Sequence, residues 1–112
     1  MIKKNKAMHP KIRLREYDVE AIKAAFKKNF GADDHLWIFG SRVELEKRGG
    51  DIDLYIETSE SLENAYKKKR RFIGDLWATI GEQKIDVVLH LASDTEKKMI
   101  YEVAKKEGVM LV

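Results

Sequence analysis

Asp51 and Asp53 stand two positions apart in a segment that alternates strictly, Asp51-Ile52-Asp53-Leu54-Tyr55-Ile56-Glu57. In an extended chain successive side chains point to opposite faces, so both carboxylates project to one side and Ile52, Leu54 and Ile56 to the other. Two carboxylates held that close resist ionising together, and a positive charge between them relieves the repulsion. Magnesium suits this position: it takes oxygen ligands and is commonly shared between one or two protein carboxylates and the phosphates of a substrate. A third acid, Asp86, interrupts the otherwise apolar run Ile85-Asp86-Val87-Val88-Leu89. Acids seldom stand in core strands without a partner or a task. The last component is Gly40-Ser41-Arg42, which directly follows the apolar run Leu36-Trp37-Ile38-Phe39. Glycine lets a ligand approach the backbone, a following helical turn offers free amides, Ser41 adds a hydroxyl and Arg42 a permanently charged fork. Together they describe a phosphate cradle.

The elements that must position these groups follow from hydrophobic periodicity. Asp18 is a candidate N-cap for a first helix bearing Val19, Ile22, Phe26 and Phe30, with Gly31 at its stop. Leu36 to Phe39 reads as a buried strand ended by Gly40, and Ser41 can cap a short helix. After the turn Lys47-Arg48-Gly49-Gly50, Asp51 to Glu57 is the clearest strand in the chain. Ser59 or Ser61 opens a long helix reaching Gly81, in which Leu62, Tyr66, Ile73, Leu76, Trp77 and Ile80 recur at steps of three and four as the inward stripe. Lys84 to His90 forms a third strand, Ser93-Asp94-Thr95-Glu96 is a capping-box pattern for a last helix, and Val109 to Val112 can add a final strand. Alternating helices and strands imply a sheet with helices packed on it.

The chain has 112 residues, enough for one domain. The longest apolar runs, Leu36 to Phe39 and Val109 to Val112, are far short of the roughly 20 residues of a spanning helix. Cysteine is absent, which excludes disulfide frameworks, thiolate metal sites and cysteine nucleophiles. No apolar stretch follows the basic start, so a cytoplasmic protein is expected. Net charge is +3, yet residues 1–15 hold six Lys or Arg and no acid. Residues 1–13 therefore read as a flexible basic tail, and residues 14–112 as the single domain. The second basic cluster, Lys67 to Arg71, reads as a solvated helix face, although two such clusters would also suit an RNA or a polyphosphate. His9, His35 and His90 show no mutual ligand spacing, and Trp37 and Trp77 read as core.

Gly-Ser after a strand, or Asp-x-Asp alone, is a weak signal. Their order is informative: strand, Gly-Ser, nine residues, Asp-x-Asp opening a second strand, then a lone Asp in a third. With FGSR at 39–42, GGDIDLYI at 49–56 and KIDVVL at 84–89, the chain resembles the nucleotidyltransferase superfamily that includes DNA polymerase beta, and within it the minimal nucleotidyltransferase (MNT) group. The resemblance implies an α+β nucleotidyltransferase fold, palm-like as in polymerase beta, with a mixed β-sheet and helices packed on it. It implies that Gly40, Ser41 and Arg42 bind the nucleotide, and that Asp51, Asp53 and Asp86 hold two Mg2+ ions and carry the catalysis. It further implies ATP as substrate and a partner HEPN toxin, whose tyrosine receives AMP from this antitoxin. Where family members often carry a small residue, a second basic residue and a glycine after Gly-Ser-Arg, this chain has Val43-Glu44-Leu45, and Gly50 stands where many have serine.

Two other readings stay open. One is a non-catalytic antitoxin that silences its partner by occupying it, which Glu44 favours. The other is a nucleotidyltransferase for a small hydroxylated molecule such as an antibiotic, completed by another subunit. Arg42 could also pair with Glu46 four residues on, and Asp51 could serve the turn after Gly49-Gly50.

Overall fold

The computed structural model describes residues 7–112. Elements follow in the order α1 (Glu16–Asn29), β1 (His35–Phe39), a 3-10 turn (Gly40–Val43), β2 (Ile52–Thr58), α2 (Leu62–Ile80), β3 (Ile85–Leu91), α3 (Met99–Glu107) and β4 (Val109–Met110). The sheet order is β3-β2-β1-β4. β1 runs antiparallel to β2 and to β4, whereas β2 and β3 are parallel and joined by the α2 crossover.

Period-2 alternation gives the sheet two different faces. Leu36, Ile38, Ile52, Leu54 and Ile56 are fully buried against α1 and α2, where Phe26, Phe30 and Phe72 pack ring to ring. On the other face Trp37, Phe39 and Tyr55 lie beneath Tyr101 and Ala104 of α3. Asp53 alternates with Leu54 and so lies on the α3 face, as the sequence pattern requires.

Several local expectations change. α1 begins two residues before Asp18, with Arg15 at the N-cap; Asp18 is buried and accepts two bonds from the Arg15 guanidinium, at 3.0 and 3.1 Å. Ser41 caps no helix, because a 3-10 turn already begins at Gly40. Ser61 does cap α2, accepting from the Asn64 amide at 3.3 Å, and the helix stops at Gly81. The capping box does not start α3, whose first residue is Met99: the Asp94 carboxylate accepts instead from the Glu96 amide (3.0 Å) and the Tyr101 hydroxyl (3.1 Å).

The long helix faces the core with a stripe only partly the expected one. Leu76 is buried, and Ile73 and Ile80 pack partly buried against the core as expected. They are joined by buried Ala65 and Phe72, while Leu62, Tyr66 and Trp77 are 58%, 46% and 37% exposed. Trp77 is thus no core residue, and its indole donates to the Gln83 carbonyl at 2.8 Å. Trp37 is buried as expected.

At the N-terminus the packed structure reaches further than Leu14. Ile12 is fully buried in the main core and Arg13 is bonded into the loop after β1, so these residues are no flexible tail. Burial of Ile12 and the carbonyls offered to Arg13 fix the segment. The part of the expected basic tail at residues 1–6 lies outside the described residues.

Candidate active site

The second strand brings the acids to one end of the sheet. Phe39 of β1 pairs with Asp53, and Asp53 pairs in parallel register with Asp86 of β3. Gly40 comes next after Phe39, with φ +73°, and a Cβ there would stand 2.4 Å from Asp53 Oδ2. The residue must therefore be glycine twice over, for its backbone angle and for the carboxylate lying against it. Gly50 repeats this relation at the other end of the loop between β1 and β2: φ is +99°, and a Cβ would stand 2.3 Å from Ser41 Oγ. Ser41 thus packs over the residue preceding Asp51, which draws Gly40-Ser41 and Asp51 to Asp53 into one corner.

Asp86 belongs to that corner, though not for the reason its apolar neighbours suggested. β3 is an edge strand, so Asp86 is exposed rather than buried in a core strand. The carboxyl of Asp53 is pushed above the usual carboxylate range, first by burial, then by the charges of Asp86 and Asp51. Lys84 places its ammonium 3.3 Å from Asp51, and its affinity for a proton is raised chiefly by that bond, with Asp86 and Asp53 adding to it.

Among the described residues, no group of three His, Asp or Glu side chains converges closely enough to grip a metal unaided. The chemistry of the donor set nevertheless suits a hard divalent cation. All three candidates are carboxylates, Asp53 is destabilised by its neighbours' charge, and a lysine ammonium occupies the shared negative field.

Arg42 has a different setting from the one its position suggests. Its guanidinium donates to the carbonyls of Arg13 and Gly50, both at 3.0 Å, while Nε is buried with no hydrogen-bond partner. Burial, followed by the charge of Arg13, lowers its proton affinity. Arg13 answers in kind: its amide donates to the Arg42 carbonyl at 2.7 Å, and its side chain reaches the carbonyls of Ser41 (3.0 Å), Glu44 (3.0 Å) and Gly49 (2.5 Å). The two arginines form a reciprocal clamp that ties both ends of the loop between β1 and β2 to the segment before α1. Arg42 does not pair with Glu46, and the exposed Glu44 is matched by Lys47 at 2.8 Å.

Sequence reasoning missed Arg13, whose partners lie 28 to 36 residues away. It also missed a polar cluster further along the acid face. Tyr55 donates to Glu57 Oε2 and meets His90 Nδ1, both at 2.7 Å; His90 stacks on Tyr101 at 3.9 Å, and Lys105 pairs with Glu57 at 3.1 Å. The alternation Asp53, Tyr55, Glu57 and the spacing Asp86 to His90 were the available signal. Beyond this cluster, at the far ends of β2 and β3, lies a cleft of about 410 Å³ lined by His35, Glu57, Ser59, His90 and Asp94 among others.

A mixed sheet with helices on both faces and acids gathered beside a Gly-Ser bend places the chain in the class of α+β nucleotidyl-transfer domains. Residues 20–112 match the polymerase beta nucleotidyltransferase family, and the chain belongs to it. No curated protein matches the chain.

Proposed function

We propose that this domain is a magnesium-dependent nucleotidyltransferase that moves AMP from ATP to a hydroxyl of a partner protein, a tyrosine of a HEPN-type toxin, and so acts as the antitoxin of the pair. The observation that carries the reading is the in-register pair Asp53 and Asp86, with Asp51 two residues away and Gly40 against the Asp53 carboxylate. Asp51, Asp53 and Asp86 would hold two Mg2+ ions, which supply charge neutralisation for the triphosphate and acidify the attacking hydroxyl. Ser41 and the backbone at Gly40 would seat the phosphates. Asp86, exposed at the sheet edge, would orient the incoming hydroxyl and accept its proton as the oxygen bonds to the α-phosphorus and pyrophosphate departs.

Asp86 is exposed on an edge strand, which favours an acceptor brought by another molecule. Among the described residues no helix is long and apolar enough to cross a membrane.

The engagement of Arg42 with two carbonyls favours a second reading, a non-catalytic antitoxin that works by occlusion, since the guanidinium is withdrawn from phosphate contact. Incubating the co-purified pair with ATP labelled at the α-phosphate decides between them. Transfer of label to the partner, with a mass gain of one AMP, supports the enzyme. Tight association with no transfer supports occlusion.

A further inference from the structure

The outer edge of β3 has no partner among the described residues. The Ile52 amide donates to the Lys84 carbonyl and the Ala92 amide to the Thr58 carbonyl, so the even-numbered residues of β3 bond to β2. The amides and carbonyls of Ile85, Val87 and Leu89 therefore point outward. Exposed edges are usually protected by charged side chains, lysine above all, by proline, a bulge or a covering element. Ile85–Leu91 (IDVVLHL) has neither lysine nor proline, and Asp86 is its one acidic or basic residue besides His90. Ile85, Val87 and Leu89 are incompletely buried, on the face where α2 packs. The adjoining flank of α2 is apolar too. Asp75 turns toward α1, bonding Asn29 at 2.9 Å, and helical geometry sets Tyr66, Ile73 and Trp77 on the opposite side, toward the β3 edge.

We infer that this edge pairs antiparallel with β3 of a second copy of the chain, about a two-fold axis at Val88, so that the partner's His90 stands beside Asp86. The sequence of β3 is self-complementary in this one register. Val88 meets its own counterpart, Val87 meets Leu89, Ile85 meets Leu91, and each Asp86 faces a histidine. Parallel self-pairing in register would instead oppose Asp86 to Asp86, a destabilising like-charge pair. The outward amides of Val87 and Leu89 fall at hydrogen-bonded positions, and Val88 and the Asp86/His90 pairs at non-hydrogen-bonded ones. Asp86 then lies between Asp53 on its own sheet and the partner's His90, and the site is bordered by two chains. The His90 ring is held within its own chain by Tyr55 (2.7 Å), the Asp94 carbonyl (3.3 Å) and Tyr101, so Asp86 and His90 meet as cross-strand neighbours and not as a hydrogen-bonded pair.

The absence of cysteine makes the register directly readable. Non-hydrogen-bonded antiparallel pairs have Cα atoms about 4.5 Å apart, which a disulfide spans. Under mild oxidation Val88→Cys should form a covalent dimer and Val87→Cys should not. Asp86→Cys and His90→Cys should cross-link when mixed but not separately. In sedimentation the native chain should run at twice 13.0 kDa, and Val87→Pro, which removes an outward amide and spares the amides that bond to β2, should run as a monomer. Circular dichroism checks that each variant is folded, and the cysteine comparisons decide if Val87→Pro is not. A native monomer, or Val88→Cys cross-linking no faster than Val87→Cys, overturns the inference.

Discussion

The Asp53 carboxylate lies against the backbone of Gly40, where a Cβ would come within 2.4 Å of Oδ2. Two segments joined by the β1/β2 hairpin thereby fit each other without space for a methyl group.

Gly40→Ala should lose about 1–3 kcal/mol of stability from its left-handed backbone alone, and should displace Asp53 as well. Urea unfolding measures the first effect. Nucleotidyl transfer should fall far more than the residual stability explains; wild-type transfer by a folded Gly40→Ala would remove the close approach from the mechanism.

Asp53→Asn should retain the fold and abolish labelling of the acceptor. It should also change how stability depends on pH. Because burial and its acidic neighbours raise the Asp53 carboxyl in the folded chain, the neutral form favours folding. Its stabilising contribution is complete below the ordinary carboxylate range and is lost as pH rises through the raised folded value. Asp53→Asn should flatten that acid-side decline in thermal unfolding curves. An unchanged slope would mean that the neighbours do not act on Asp53.

Arg13→Ala should cost about 1–3 kcal/mol, as bonds from one charged donor to three loop carbonyls are lost. Arg13→Lys should recover little, because an ammonium lacks the planar fork that spans Ser41, Glu44 and Gly49. Calorimetric titration with ATP and magnesium should show weaker binding in both variants. If lysine restores full affinity, charge alone is what the loop requires.

Phe72→Ala should destabilise the domain by about 3–5 kcal/mol, as expected for a fully buried aromatic. Trp77→Ala should cost clearly less, since the indole is 37% exposed. Equal midpoints in denaturant would contradict the inward stripe seen in α2.

Much of the fold and of the candidate site was legible in local pattern. Period-2 alternation alone put Asp51 and Asp53 opposite Ile52, Leu54 and Ile56, and an apolar strand ending in glycine marked Gly40. Relations set by tertiary structure were not legible. Asp86 was recognised as an acid in a strand, but nothing in its neighbours says that β3 stands at the sheet edge. In α2 two overlapping stripes share Leu76, and periodicity cannot choose between Phe72 and Trp77; packing against α1 and the sheet does. Arg13 looked like tail because its partners lie across the chain. The Ser93 to Glu96 pattern caps no helix because the Asp94 carboxylate is turned to the Glu96 amide and the Tyr101 hydroxyl within the loop before α3.

The parallel pairing of β2 with β3 fixes an order of assembly. Gly40 and Asp53 belong to a hairpin that can close as soon as residues 35–58 are available, but Asp86 reaches its place only after the whole α2 crossover has docked. A refolding chain should accordingly acquire its central strands early and its cation affinity last. A nascent chain truncated before residue 85 would present two of the three acids of that corner to the ribosome's surroundings, with Asp86 still missing.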